Sequence, residues 1–142
     1  MYSHYLLDTG ILGQLVHPRP NKLLRLWTEE LLLRGASIVI PEISDYELRR
    51  NLVLEGFGDS VHRLNELEGA VRYLPLDTKT MRLAADLWAR ARSERMPTAR
   101  SAALDGDVIL AAQAMQVHQA VVVTENVSHL IRFVPAKSWR DI

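Results

Sequence analysis

The fold of this 142-residue chain is decided by residues 105–126, DGDVILAAQAMQVHQAVVVTEN. The first half of this stretch is apolar on nearly all sides of a helix, so it predicts a central, buried helix that opens at Asp105. Ala120–Val123 is an unbroken apolar run rich in valine, which is typical of a strand covered on both faces. A buried helix followed directly by a buried strand indicates an α/β domain with a largely parallel sheet.

The rest of the chain repeats this alternation of short strands and longer helices. Short β-like runs predict strands at Tyr5–Leu7, Ser37–Ile40 and Val71–Leu74, with a last edge strand at Ile131–Val134. No Pro/Gly/Ser-rich linker divides the sequence. We therefore predict a single α/β domain over residues 1–142, a three-layer sandwich with a mostly parallel central sheet of four to five strands and helices on both faces.

Helical periodicity accounts for the segments between the strands. Leu23 to Leu33 carries apolar residues at helical spacing. Capping residues predict where other helices begin: Ser44 or Asp45, Thr78, and Asp105 for the central helix. The helix that Thr78 opens is expected to place on its inner face Met81, Ala84, Ala85, Trp88 and Ala91.

Composition narrows the class of protein. The 17 basic and 17 acidic residues give a net charge of zero, which argues against an indiscriminate polyanion binder. The chain has no cysteine, so disulfides, thiolate zinc sites and a cysteine nucleophile are excluded. No apolar run approaches the length of a membrane span, and we expect a soluble, cytoplasmic protein.

Acidic residues recur where predicted strands end or the central helix begins. In parallel sheets, ligands bind at the carboxyl ends of the strands. Converging carboxylates repel one another unless a cation neutralises them, and oxygen-only clusters suit Mg²⁺ or Mn²⁺. A metal held in this way can support phosphodiester hydrolysis, whereas the plainer interpretation makes each acid a helix cap or a solvated group. The polar residues concerned are Asp8, Glu42, Asp45, Glu47, Asp105, Asp107, Thr124, Glu125 and Asn126.

Four segments, taken in order, resemble PIN-domain ribonucleases, in particular the VapC-like toxins of bacterial toxin–antitoxin pairs. Residues 5–9 (YLLDT) are similar to the opening strand of that family, and residues 40–48 (IPEISDYEL) to its segment with a Glu-Leu pair. Residues 107–112 (DVILAA) match its Asp-x-x-Ile-Ala-Ala helix. Residues 121–126 (VVVTEN) resemble its strand that ends in Thr-x-Asn.

The resemblance implies a Mg²⁺- or Mn²⁺-dependent endoribonuclease and gives roles to these positions. Asp8, Glu47 and Asp107 would hold the metal. Asn126 would lie at the pocket edge as a further catalytic residue, and Thr9 would hydrogen-bond the Asp8 carboxylate. The implied partners are an RNA substrate, a cognate antitoxin protein and a second copy of the chain in a homodimer.

Three further residues are secondary candidates. His129 stands where the family often has a fourth acid, and imidazole is a poorer ligand for Mg²⁺ than for Mn²⁺. Asp105 and Asp107 lie about 200° apart around a helix, so they cannot both face one metal; Asp107 is preferred and Asp105 reads as a cap. Arg100 precedes the central helix within a basic stretch and is a candidate phosphate contact.

Other hypotheses compete with the ribonuclease. The main alternative is a catalytically silent PIN-like module that acts through protein partners. A receiver-type signalling domain has a similar size and pattern, but Asp8 lacks the adjacent second acid that such domains carry. Residues 6–10 (LLDTG) also spell an aspartic-protease signature, which the predicted helices contradict.

Overall fold

The computed structural model describes residues 1–94 and 101–142, with backbone alone for Ser101 and Ala102. In this part of the chain, helices and strands alternate from end to end. The strands are β1 (His4–Leu7), β2 (Ser37–Pro41), β3 (Arg72–Leu74), β4 (Ala120–Val123) and β5 (Ala136–Lys137). The helices are α1 (Thr9–Val16), α2 (Lys22–Leu33), α3 (Glu42–Leu54), α4 (Gly58–Ala70), α5 (Thr78–Ser93), α6 (Ser101–Met115) and α7 (Val127–Leu130), and a 3-10 turn (Trp139–Asp141) follows.

The five strands form one sheet in the order β3-β2-β1-β4-β5, with every neighbouring pair parallel. Strand β1 is central, because Tyr5 pairs with Ile38 of β2 on one side and with Val121 of β4 on the other. Since parallel strands need crossover connections, helices link them and cover the sheet. The predicted α/β sandwich with a parallel sheet is confirmed.

Side chains of successive strand residues point to opposite faces and feed two separate cores. Leu6 and Val122, both fully buried, face the layer that contains α5 and α6. Leu7 and Val123, also fully buried, face the layer that contains α1, α2 and α4. Because both faces are covered, the central strands are apolar at consecutive positions, which is why short unbroken apolar runs in the sequence identified them.

Several predicted elements differ from the structure. Helix α6 begins at Ser101, so Asp105 lies inside it and is not its cap. The cap of α5 is Asp77, whose side chain accepts a hydrogen bond from the Thr80 amide at 2.8 Å, and not Thr78. The predicted edge strand at Ile131–Val134 is wrong, because the last strand is β5.

The predicted inner face of α5 is also partly wrong. Ala84 and Ala91 are buried as expected, but the buried stripe runs through Leu87, whereas Trp88 remains exposed. Met81 and Ala85, which were also predicted to face inward, are exposed as well, so the buried stripe is rotated around the helix relative to the predicted one. Helix α1 was missed because Asp8, Thr9 and Gly10 resemble a turn after the first strand; in the structure Asp8 is the N-cap of α1, and Thr9 and Gly10 are its first two residues.

Parallel pairing brings the carboxyl ends of β1, β2 and β4 to one edge of the sheet. The residue that follows β1 is Asp8, and its amide donates to the Val123 carbonyl at the end of β4 at 3.0 Å. Glu42 begins α3 directly after β2, and Glu47 lies one turn further along that helix. None of the helices in the described ranges is long and apolar enough to cross a membrane.

Candidate active site

Asp8 is held rigidly at the carboxyl end of β1. Its Oδ1 accepts a hydrogen bond from the Thr9 amide at 2.7 Å, which is the N-cap interaction of α1. Its Oδ2 accepts one from the hydroxyl of Thr124 at 2.6 Å. Thr124 is fully buried, and its Oγ1 in turn accepts from the Asn126 amide at 2.9 Å. The Asp8 carboxylate is therefore fixed from two elements, with one oxygen bound to each.

Glu47 reaches the same edge from α3. Its Oε1 accepts a hydrogen bond from the Thr9 hydroxyl at 2.8 Å. The predicted contact of Thr9 with Asp8 is thus made by the backbone amide, while the side chain of Thr9 binds Glu47. Thr9 therefore orients both carboxylates, because its backbone amide binds Asp8 and its hydroxyl binds Glu47.

Asp107 lies on α6 and brings the third carboxylate. Burial, together with the negative charges of Asp8 and Glu47, raises the pKa of Asp107 to about 6, although His129 and Arg132 act in the opposite direction. The Oδ2 atom of Asp107 is buried and accepts no hydrogen bond. A buried carboxylate oxygen without a donor is costly, so this atom calls for a cation or a proton.

The donor set is compatible with a divalent metal ion, although the carboxylates are not arranged as a finished coordination shell. Within residues 1–94 and 101–142, no three acidic or histidine side chains already form a group that could hold a metal ion. Such an ion would give the unpartnered Oδ2 of Asp107 a ligand contact, and it would reduce the repulsion among the three carboxylates. Asp8, Glu47 and Asp107 would have to turn toward a common point to bind it.

Positive charge borders the acidic site on the side of α7. His129 and Arg132 both lower the pKa of Asp107, so both are within electrostatic reach of its carboxylate. The Nε of Arg132 donates to the His129 carbonyl at 2.9 Å, and its guanidinium lies over the Phe133 ring, 5.2 Å from the centroid. These contacts fix Arg132 near the site, whereas Arg100 lies outside the described residues.

The remaining predicted site residues occupy less central positions. Asp105 is exposed on α6, and Asp107 is half-buried, as the angle between them predicts. Asn126 is exposed before α7, where its side chain makes no capping hydrogen bond. Asn126 is linked to the site through its backbone amide, which donates a hydrogen bond to the hydroxyl of Thr124.

Asp45 takes part in a second, separate cluster of charges. It lies inside α3 and accepts from Arg49 Nη2 at 2.8 Å, so the predicted capping role is wrong. Arg49 also donates to Glu68 of α4 at 3.1 Å, and burial together with Asp45 raises the pKa of Glu68 to about 7. This cluster joins α3 to α4. Glu42 is likewise structural, because its Oε1 accepts from the Leu76 amide at 2.6 Å.

Three residues at the site received no role from the sequence: Thr124, which was named only as a polar residue at a strand end, Gly106 and Arg132. Thr124 stands in the Thr-x-Asn motif, but the motif does not reveal that its hydroxyl faces Asp8. Gly106 separates the two acids of α6 and abuts the Glu47 carboxylate. Arg132 lies six residues beyond Asn126, where no motif predicted a role.

Comparison with known proteins agrees with this architecture. The family model described as PIN domain matches residues 5–130. A chain of VapBC2 from Rickettsia felis, bound to a DNA fragment from their promoter, superposes with a TM-score of 0.75 at 18% identity, covering 96% of this chain and 98% of that chain. FitAcB from Neisseria gonorrhoeae gives 0.72 at 24% identity, covering 97% and 99%. VapBC-1 from nontypeable Haemophilus influenzae gives 0.67 at 20%, covering 96% and 98%. A comparison with curated proteins finds no match.

Proposed function

This chain belongs to the PIN domain family, and from that premise we propose that it is a metal-dependent endoribonuclease that acts as the toxin of a toxin–antitoxin pair. The observation that carries the proposal is the buried Asp107 carboxylate, which faces the charges of Asp8 and Glu47 and has one oxygen without a donor. Such a cluster is typical of a site that gains its stability from a divalent cation.

The three carboxylates have distinct tasks in this proposal. Asp8, Glu47 and Asp107 would hold Mg²⁺ or Mn²⁺, which supplies charge neutralisation for the phosphate and a water of lowered pKa. Thr124 and Thr9 keep two of the carboxylates oriented through their hydroxyl donors. Asn126 and His129 follow within five residues of Thr124. Arg132 adds a positive charge within electrostatic reach of Asp107.

The test is cleavage of a labelled RNA by the purified protein with Mg²⁺, with Mn²⁺ and with EDTA. We expect cleavage with either ion and none with EDTA, and a DNA of the same sequence serves as the control for substrate class. If the wild-type protein leaves RNA intact with both ions, the competing hypothesis of a catalytically silent PIN-like module is supported instead.

We also infer that a cognate antitoxin binds beside α1 and α4. Two cavities of about 510 and 570 Å³ adjoin there and share the wall residues Val16, His17, Pro18 and Arg63. Phe57 lines the second cavity and is 56% exposed, so it offers apolar surface to a partner. Phe57→Glu is expected to retain RNA cleavage but to escape inhibition by the proposed antitoxin, which is to be sought in the reading frame beside the gene.

A homodimer is part of the same proposal. Met81 and Trp88 are exposed on α5 and line a shallow cavity of about 430 Å³ together with Ile109 of α6. An apolar patch of this kind favours association with another protein surface. Light scattering after size exclusion should give twice the mass of the 16.1 kDa chain, and Trp88→Glu should give a monomer.

A further inference from the structure

Helix α6 carries a glycine, Gly106, at the point where the Glu47 carboxylate packs against it. A Cβ atom placed on Gly106 would lie 2.5 Å from Oε2, 3.2 Å from Cδ and 3.3 Å from Oε1 of Glu47. Even weakly attractive C···O contacts in proteins are about 3.3 Å or longer, so no side chain fits there while Glu47 keeps its position. The Glu47 carboxylate occupies the space that a side chain at position 106 would need.

Nothing in the backbone of α6 requires glycine at this position. Gly106 lies inside the helix, where glycine is a poor residue and alanine the best. Among the described residues, the glycines with positive φ are Gly35 and Gly56, so Gly106 has ordinary helical geometry. Local helix stability therefore favours alanine at position 106, and the contact with Glu47 is the feature that favours glycine.

We propose that Gly106 is a positioning residue of the acidic site, whose bare backbone lets the Glu47 carboxylate lie against α6 beside Asp107. This inference rests on the proposed function, because it takes the site to be one that binds a divalent metal. Gly106, which has no side chain and no charge, would thus determine where one of the metal-binding carboxylates lies.

The contacts of Glu47 explain why the position matters. The Thr9 hydroxyl of α1 holds Oε1 at 2.8 Å, and the backbone of α6 at Gly106 lies next to Oε2. A methyl group at position 106 would push Oε2 away, and Oε2 is the far end of a flexible side chain. The fold can therefore accept alanine, while the carboxylate loses its position relative to Asp107 and Thr9.

The experiment compares Gly106→Ala with Gly69→Ala. Gly69 is also a helical glycine, in α4, and a Cβ added to it would meet nothing within 4 Å. Both variants are expected to melt at or above the wild-type temperature, because alanine stabilises helices. Calorimetric titration with Mn²⁺ alone should show at least ~10-fold weaker binding for Gly106→Ala and no change for Gly69→Ala, in line with residues that orient metal ligands. RNA cleavage by Gly106→Ala should need correspondingly more Mn²⁺.

The outcomes separate this inference from the proposed function. A wild-type protein that neither binds Mn²⁺ nor cuts RNA overturns the proposed function, and the role of Gly106 with it. A wild-type protein that does both, with Gly106→Ala binding Mn²⁺ within about twofold of it, overturns the role of Gly106 alone.

A double-mutant cycle with Glu47→Gln decides the matter even if Gly106→Ala lowers the melting temperature. If Gly106 acts through Glu47, its replacement should no longer weaken Mn²⁺ binding once the Glu47 carboxylate is gone. Additive losses in the double variant would instead show that Gly106 acts on the fold, and would overturn the inference.

Discussion

The hydroxyl of Thr124 donates a hydrogen bond to Oδ2 of Asp8, 2.6 Å away, across a separation of 116 residues in the chain. The bond joins the ends of two adjacent parallel strands, β1 and β4, at the edge where the candidate site lies. Thr124 is fully buried, so no water replaces this donor when it is removed. The orientation of the first carboxylate thus depends on a residue near the end of the chain.

Thr124→Val should separate this role from simple packing, because valine keeps the shape of threonine without the hydroxyl. Asp8 Oδ2 and the Asn126 amide each lose a partner. We expect RNA cleavage to fall roughly 10- to 100-fold, as for other residues that orient metal ligands, with about 1–2 kcal/mol lost from the free energy of unfolding. Cleavage rates and urea denaturation measure the two effects.

The matched control is Thr28→Val. Thr28 is also buried, and its hydroxyl donates to the Arg25 carbonyl at 2.7 Å within α2. Thr28→Val should lose stability without a comparable loss of activity. Equal losses of activity in both variants would contradict the role of Thr124.

Asp107→Asn should abolish RNA cleavage and relieve any growth arrest that expression of the protein causes. Asp105→Asn, two residues away on the exposed side of α6, should do much less. Because the pKa of Asp107 is raised to about 6, its charge destabilises the fold above that pH, so the asparagine variant should melt at an equal or higher temperature. Full toxicity of Asp107→Asn would sink the assignment of this carboxylate.

Glu68→Gln should make the protein more stable at pH 8 than the wild type. The pKa of Glu68 rises from 4.5 to about 7 because of burial and Asp45, so the folded state binds more protons between those values. Stability must therefore fall as pH rises from 4.5 to 7. Melting temperatures of the two proteins should agree near pH 4.5 and diverge by a few degrees at pH 8, with the wild type lower.

Glu66→Gln is the control for this titration. Glu66 lies on the same helix, is exposed, and pairs with His62 at 2.8 Å. Its replacement should leave the pH profile of the melting temperature close to that of the wild type. A profile of Glu68→Gln that also parallels the wild type would show that Glu68 titrates normally.

Gln113→Leu should be strongly destabilising although leucine suits a buried helix. Gln113 is 1% exposed; its Oε1 accepts from the Ile43 amide at 3.3 Å and its Nε2 donates to the Leu74 carbonyl at 2.9 Å. Leucine would leave the buried Ile43 amide and the part-buried Leu74 carbonyl without these partners, at a cost of about 2–4 kcal/mol in the free energy of unfolding. Gln116→Leu, at an exposed position of the helix end, should cost far less in the same denaturation assay.

Sequence alone predicted the layers, the parallel sheet and the first four of its five strands. It did so because strands buried on both faces, such as β2 and β4, are apolar at consecutive positions and need no long-range information to be recognised. The last strand, β5, has two residues and carries no such signal, so it was misplaced onto the more apolar Ile131–Val134.

The candidate site was predictable only in part. The resemblance predicts Asp8, Glu47 and Asp107 as metal ligands, and in the structure the charges of Asp8 and Glu47 both act on the Asp107 carboxylate. The hydrogen bond from Thr124 and the close approach of Gly106 depend on distances between elements remote in the chain, which spacing along the sequence does not encode. The sequence therefore did not predict the contacts that single residues make with distant parts of the chain only after folding.

The central place of β1 has a consequence for biosynthesis. Its partner β4 and the donor Thr124 follow Asp8 by more than 110 residues, so Asp8 emerges from the ribosome long before them. A nascent chain shorter than about 124 residues therefore cannot complete the pairing that orients Asp8, because contacts so distant in sequence form only after both ends exist. An RNA-cutting activity built on this site would therefore stay silent until β4 and Thr124 have been synthesised and have joined β1.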